Sequence, residues 1–168
     1  MTKVTLRDLI EDDRERMHIW RNSPEVAAYM YTDHLISRAE HDRCFDSLAG
    51  DPRRRYWMIE VDGVPAGVAN LADIDHHHGR CSLGHYLAEP SARGKGVGAV
   101  VEYWLIEQVF GPFGLNKFWT EVLLSNESAW RLHLDFGFQR EALFRQHVMK
   151  NGQYQDVVGL GLLAEDWP

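Results

Sequence analysis

The residues that first suggest chemistry in this 168-residue chain are three closely spaced glycines beside two basic side chains. Gly94, Gly96 and Gly98 alternate with other residues, and Arg93 and Lys95 lie next to them. A β-prone run precedes this loop, and an apolar helical pattern follows it at once. Glycine lets the backbone approach an anion closely, and free N–H groups at the start of a helix point towards that anion. The spacing therefore predicts a phosphate-binding loop, with a plain turn as the alternative.

Two widespread phosphate loops do not fit these residues. A P-loop needs a Lys-Ser/Thr pair after its second glycine, where this chain has Val97 and Gly98, and a dinucleotide fingerprint needs two residues between its last glycines. The pattern Q/R-x-x-G-x-G/A does fit, with Arg93, Gly96 and Gly98 at its fixed positions. In this form the loop resembles the pyrophosphate loop of the GCN5-related N-acetyltransferases (GNAT), which bind acetyl-coenzyme A.

Length and composition limit the class of protein. A chain of 168 residues suits a single domain over residues 1–168, and 45% hydrophobic residues are enough for a packed core. The formal charge of −7 argues against a nucleic-acid surface. We see no signal peptide or membrane span, and the two separated cysteines fit a reducing compartment. We therefore expect a cytoplasmic protein, and no spacing indicates a metal.

Local signals predict the elements that must position the loop. Ser37 and Glu40 form a capping box at the start of a helix, and the pairs at 62–63 and 151–152 predict hairpin turns. The predicted order, β-α-α-β-β-β-α-β-α-β-β, is that of a mixed α/β domain. The resemblance implies a central sheet of about seven strands, splayed at the cofactor site and flanked by about four helices.

A second motif lies about thirty residues beyond the loop. The GNAT family often has Asn-x-x-Ala-x-x-Leu-Tyr and then Gly-Phe; here Asn126, Ala129 and Leu132 match, and Gly137-Phe138 follows. With the element order, the two motifs resemble this family over the whole chain. The resemblance implies that acetyl-coenzyme A contacts eight residues: Leu87, Arg93, Gly94, Lys95, Gly96, Val97, Gly98 and Asn126.

His133 stands where the family has the tyrosine that protonates the coenzyme A thiolate. Histidine has a reference pKa of about 6.5 and donates protons near neutrality. We therefore predict His133 as the catalytic acid. The alternative is a helix residue that pairs with Asp135 or caps a surface, in which case Tyr86 or Tyr103 supplies the proton.

Glu121 is the predicted catalytic base. It lies on a β-prone, largely apolar run just before the second motif. A carboxylate that is partly desolvated in a cleft gains basicity, so Glu121 would accept the amine proton directly or through water. A strand residue that faces solvent is the alternative.

The segment from Trp20 to His41 resembles the N-terminal part of the bacterial acetyltransferases of the pseudaminic acid pathway. Those enzymes act on the 4-amino group of a UDP-linked 4-amino-4,6-dideoxy sugar, and the product sugar decorates flagellin. The resemblance implies that Arg21 and His41 face the nucleotide diphosphate or the uracil. It also implies that Met30 and Tyr31 line the sugar pocket.

The predicted function is thus an acetyl-coenzyme A-dependent N-acetyltransferase. Its expected acceptor is the 4-amino group of a nucleotide-linked, UDP-type sugar in flagellin glycan biosynthesis. For partners we predict this small-molecule substrate, no nucleic acid and no membrane, and we allow a homodimer. The alternatives are a protein N-terminal acetyltransferase of the ribosomal-protein type and a non-catalytic acetyl-coenzyme A-binding domain.

Overall fold

The computed structural model describes residues 2–168, which form one seven-stranded sheet and five α-helices. Along the chain these elements are β1 (Val4–Asp8), α1 (Asp13–Asn22), α2 (Pro24–Ala27), α3 (Arg38–Asp46), β2 (Arg55–Val61), β3 (Val64–Asp75), β4 (Arg80–Leu87), α4 (Val97–Phe110), β5 (Lys117–Leu123), α5 (Glu127–Asp135), β6 (Gln139–Lys150) and β7 (Gln153–Leu163).

The mixed α/β fold predicted from the sequence is confirmed. The fifth helix, α2, is a single turn of four residues that restarts the chain at Pro24. Proline suits the first turn of a helix because its fixed φ is already helical and its missing N–H is not needed there. Both predicted hairpin turns are present: Asp62 and Gly63 have φ of 52° and 79°, and Asn151 and Gly152 have 51° and 76°.

The sheet has the order β1-β2-β3-β4-β5-β7-β6 and opens between β4 and β5. These two strands are the parallel pair, and they pair only from Arg80↔Lys117 to Ser82↔Trp119. Beyond this point β4 stays with β3 and β5 stays with β7, so the two central strands separate. At the fork the Thr120 hydroxyl donates to the Leu83 carbonyl at 3.2 Å. The predicted splay is therefore real, and it leaves strand backbone free to contact a ligand.

Helices cover both faces of the sheet around this opening. On one face α4 buries a stripe at helical spacing, and fully buried Val101 and Leu105 pack with Leu71 and Phe118. On the other face Met17 and its α1 neighbours pack against β2 and β3. Among residues 2–168, no helix is long and apolar enough to cross a membrane.

Candidate active site

The glycine loop has the geometry of an anion site. Gly94 and Gly96 have φ of 70° and 74°, and Gly96 is the residue that caps the start of α4. A Cβ on either glycine would meet no atom within 4 Å, so the loop faces open space, and the left-handed backbone is what requires glycine. Free N–H groups at the first turn of α4 and the positive end of its dipole favour a phosphate here. The loop therefore fits the pyrophosphate of coenzyme A.

Arg93 fixes the loop to the end of β4. Its guanidinium donates to the Leu87 carbonyl, from Nε at 3.2 Å and from Nη2 at 3.0 Å, and to the Ala88 carbonyl at 3.4 Å. These bonds engage Arg93 with the backbone. Its contribution is thus to hold the loop beside the opening in the sheet.

A cavity of about 690 Å³ runs through the opening between β4 and β5. It is lined on one side by the loop, α4 and α5, and on the other by the segment that follows α1. The lining includes most of the predicted site residues: Leu87, Arg93, Gly96, Gly98 and Asn126 for the cofactor, Arg21, Met30 and Tyr31 for the acceptor, and Glu121 and His133 for catalysis.

Four predicted site residues lie outside the lining of this cavity. Gly94 and Lys95 are exposed on the loop, and the Val97 side chain is buried beneath it. The position of His41 corrects the prediction that this residue faces a nucleotide. It is buried, stacks on His18 with ring centroids 5.0 Å apart, and bonds through Nε2 to the Arg14 carbonyl at 2.7 Å, because α3 packs on α1.

His133 is buried at the inner wall of the cavity, with 4% of its surface exposed. Its Nδ1 lies 2.7 Å from Oε1 of Glu102 on α4, a residue that is 0% exposed. The other oxygen, Oε2, lies 3.1 Å from Nε2 of His85 on β4. The alternative that His133 pairs with Asp135 is therefore wrong, since its partner comes from another helix.

The three side chains form a histidine–carboxylate–histidine cluster, His85–Glu102–His133. Burial by itself opposes ionisation of Glu102. The hydrogen bonds from His133 and His85, with their charges, outweigh burial and lower the pKa of Glu102 to about 2. A carboxylate is an acceptor only, so both ring nitrogens that face Glu102 carry hydrogen. Both histidines also line the cavity, whereas Glu102 lies behind them.

Sequence reasoning passed over Glu102, although a signal was present. The buried residues of α4 follow helical spacing, and Glu102 falls within that stripe between Val101 and Leu105. A carboxylate on the buried face of a helix must be paired, and the motif histidine is its partner.

Glu121 lies on the acceptor side of the cavity and is exposed to it. The Tyr31 hydroxyl donates to its Oε2 at 2.9 Å. Burial and this hydrogen bond raise the pKa of Tyr31, so its phenol stays protonated and remains a donor. The pair joins the segment after α2 to β5.

Arg21 also lines the acceptor side. Its Nε is buried and has no hydrogen-bond partner within residues 2–168. Glu25 and Tyr29 complete this end of the lining. The acceptor end thus combines two carboxylates, Glu25 and Glu121, with one guanidinium.

The two alternative proton donors are less well placed. Tyr103 is half exposed, contacts Trp167 and lies outside the cavity lining. Tyr86 lines the cavity, but it belongs to the α1 face of the sheet, where burial raises the pKa of its hydroxyl.

A buried lysine anchors the wall that carries Met30 and Tyr31. Lys150, at the end of β6, is 8% exposed, and its Nζ donates to the carbonyls of Ala27, Met30 and Thr32 at 2.8, 2.6 and 3.0 Å. The three carbonyls replace the water that an ammonium loses on burial. No sequence motif marks this lysine.

A loop suited to a diphosphate and a splayed sheet with one cavity in its opening are the features that the predicted acetyltransferase fold requires. The pattern of the Acetyltransferase (GNAT) family matches residues 14–138, and the chain belongs to that family. It is an N-acetyltransferase that uses acetyl-coenzyme A as donor. The GNAT resemblance inferred from the sequence is confirmed.

Known relatives and structures cover between three quarters and nearly all of the chain. Spermidine N(1)-acetyltransferase of Escherichia coli K12 is 26% identical over 164 residues, which are 98% of this chain and 88% of that protein. The acetyltransferase PseH of Campylobacter jejuni is 28% identical over 126 residues, 75% of this chain and 76% of that protein. The fold matches the crystal structure of spermidine N-acetyltransferase from Vibrio cholerae in complex with CoA and spermine, with a TM-score of 0.90 at 23% identity, over 97% of this chain and 96% of that one.

Proposed function

We propose that this N-acetyltransferase acetylates a primary amine of a small polycation of the polyamine class. The observation that carries the proposal is the Tyr31–Glu121 pair on the acceptor side of the cavity, with Glu25 in the same lining. Carboxylates in a cleft attract ammonium groups and orient them by charge-assisted hydrogen bonds. The net charge of −7 acts in the same direction.

The alignments with spermidine acetyltransferases extend over nearly the whole chain, and this similarity supports the same acceptor class. The acetyltransferase PseH matches a shorter part of the chain, 75% of it. The family match covers residues 14–138, whereas the spermidine acetyltransferase alignments cover 98% and 99% of the chain.

In the proposed mechanism Glu121 accepts the proton that the attacking ammonium must lose, directly or through water. Tyr31 holds one carboxylate oxygen and leaves the other for the amine. Acetyl-coenzyme A, when bound, supplies the thioester carbonyl and the thiol leaving group. The glycine loop, which Arg93 fixes to the end of β4, would hold the pyrophosphate end, with Asn126 beside the cofactor arm. His133 donates the proton to the departing thiolate from the inner wall.

A second candidate acceptor is the nucleotide-linked amino sugar, and Arg21 supports it. An arginine whose Nε lacks a partner among residues 2–168 suits a phosphate, which a guanidinium binds with two parallel hydrogen bonds. This acceptor would place an anion between Arg21 and the glycine loop. The proposed homodimer has no bearing on this choice and stays a prediction.

The test is release of coenzyme A from acetyl-coenzyme A with a panel of acceptors. The panel contains spermidine, spermine, a UDP-linked 4-amino sugar and a peptide with a free N-terminus. We expect kcat/KM to be highest for a polyamine. A higher value for the amino sugar would select the second candidate, and a higher value for the peptide would reject both.

A further inference from the structure

We propose that Glu102 is a positioning residue for the acid step, and that it acts through the ring of His133. In this role Glu102 keeps hydrogen on Nδ1 of His133 and leaves Nε2, on the other side of the ring, as the nitrogen that exchanges a proton with the cavity. The inference rests on the acid role of His133 in the proposed function, and it assigns a task to a residue that touches neither substrate.

The hydrogen bonds determine which nitrogen carries hydrogen. Glu102 is 0% exposed, and within residues 2–168 its two oxygens accept from two donors only, Nδ1 of His133 and Nε2 of His85. A carboxylate cannot donate, so a neutral His133 in this geometry holds its hydrogen on Nδ1. Nε2 is then bare in the neutral ring and carries the transferable proton when the ring is charged.

The charge of Glu102 bears on the proton at Nε2 of His133. A buried carboxylate without a counter-charge is costly, and one added proton on either ring makes the cluster His85–Glu102–His133 neutral overall. His133 is also in the last turn of α5, where the negative end of the helix dipole favours a cation. Both features place negative charge or dipole beside the His133 ring.

Two titratable groups and one aromatic ring surround His133 in the contacts of residues 2–168. The titratable groups that face it from packed elements are Glu102 of α4 and His85 of β4, whose ring centroid is 6.3 Å away. Phe138, just before β6, contacts the ring at 5.3 Å between centroids. On α5 itself, Glu127 is engaged by Arg131. Contacts with Phe138 and Glu102 together limit rotation of the imidazole.

This arrangement accounts for how a histidine can occupy the tyrosine position of the motif. A tyrosine hydroxyl carries its own proton and turns freely about one bond. An imidazole needs hydrogen on a defined nitrogen and a fixed ring orientation. Glu102 supplies both requirements for His133, as the buried carboxylate does for the histidine of a catalytic triad.

The first test measures the tautomer directly by ¹⁵N NMR of histidine-labelled protein at a pH where the rings are neutral. We expect hydrogen on Nδ1 of His133 in the wild type and a shift to the Nε2–H form, or to a mixture, in Glu102→Gln. The two rings face different oxygens of Glu102, and in glutamine one of these positions becomes an NH2 group that only donates, so the side chain cannot accept from both rings in this geometry. A wild-type His133 with hydrogen on Nε2 would overturn the inference, whether or not the acceptor is a polyamine.

The second test is a double-mutant cycle on kcat with whichever acceptor the panel selects. Glu102→Gln should lower kcat by on the order of tenfold or more, the direction seen when a triad carboxylate is replaced by its amide. It should leave the Kd of acetyl-coenzyme A unchanged. In the His133→Ala background, Glu102→Gln should cause no further loss.

The controls separate positioning from damage to the fold. Glu107→Gln makes the same change on the same helix at an exposed residue that bonds Trp167, and should leave kcat as in the wild type. Full kcat in a folded Glu102→Gln, or an equal loss with and without His133, would contradict the inference. If His133→Ala is fully active, the acid role itself fails. Should Glu102→Gln not fold, the kcat of Glu102→Asp and the tautomer of His133 in the wild type test the inference instead.

Discussion

The Tyr31 hydroxyl donates to Oε2 of Glu121 at 2.9 Å, and this bond joins two residues 90 positions apart. Tyr31 follows α2 and Glu121 lies on β5, so the bond crosses the acceptor end of the cavity. Within residues 2–168 the second oxygen of Glu121 makes no hydrogen bond. In the proposed function this second oxygen is the one that meets the incoming amine.

Gly96 tests the cofactor loop. Its φ of 74° is strained for a β-branched side chain, so Gly96→Val should shift the loop and raise the Kd of acetyl-coenzyme A by about tenfold or more, equivalent to about 1.4 kcal/mol. Calorimetry measures this Kd. Gly50→Val is the matched control, because Gly50 has φ of 75°, faces equally open space and lies after α3. Wild-type affinity in Gly96→Val would refute the loop assignment.

Lys150 tests the acceptor wall. Lys150→Met keeps an unbranched side chain, one atom shorter, but removes three hydrogen bonds to the segment 27–32. If the less well positioned segment costs about 1 kcal/mol of binding free energy for the amine, its KM rises by roughly fivefold. The Kd of acetyl-coenzyme A should stay unchanged. Lys117→Met, which removes an exposed ion pair with Glu141, is the control. An equal rise for both substrates would indicate global loosening.

His133 tests the acid step. His133→Ala should lower kcat by on the order of a hundredfold or more, the scale of a lost general acid. Since only the protonated ring donates, the rate falls as the pH rises. A tyrosine, with a reference pKa near 10, should restore part of kcat in His133→Tyr and move this fall to higher pH. His147→Ala, outside the cavity lining, is the control. Full activity of His133→Ala across the pH range would make the residue structural.

The lowered pKa of Glu102 predicts how the free energy of unfolding depends on pH in the acid range. Although burial opposes its ionisation, the bonds from His133 and His85 lower its pKa from 4.5 to about 2. A group with a lowered folded pKa adds to the free energy of unfolding above its unfolded pKa and loses that contribution as the pH falls. Glu102→Gln should therefore be less stable at pH 7 and lose less stability between about pH 4.5 and pH 2.

Denaturant titrations at several pH values in this range measure that effect. Glu107→Gln should follow the wild-type curve, because Glu107 lies at the surface of the same helix. If the Glu102→Gln and wild-type curves are parallel through the acid range, the carboxylate does not contribute in this way.

The sequence was informative where local rules decide structure. The glycine spacing predicted a loop that runs into a helix, and the structure has that loop before α4 with left-handed backbone at Gly94 and Gly96. The pairs at 62–63 and 151–152 predicted both hairpins, because such turns depend on few neighbouring residues. The capping box was also found, with the Ser37 side chain accepting from the Glu40 N–H at 3.2 Å.

The sequence was less informative where packing decides. The partner of His133 depends on how α4 and α5 meet, and Glu102 lies 31 positions away. His41 was assigned to the acceptor pocket on resemblance, but the packing of α3 on α1 buries it. The contact of Lys150 with carbonyls more than 100 positions away has no local signal at all.

The most direct test of the proposed function is steady-state acetylation of spermidine by the wild type and by Glu121→Gln. Glutamine keeps the shape of Glu121 but loses the negative charge and the basic oxygen. We predict that kcat/KM for spermidine falls by on the order of a hundredfold, while the Kd of acetyl-coenzyme A is unchanged. Tyr31→Phe should cause a smaller loss. The polyamine assignment would be contradicted if Glu121→Gln acetylated spermidine at the wild-type rate. It would also be contradicted if the wild type acetylated the amino sugar but not spermidine.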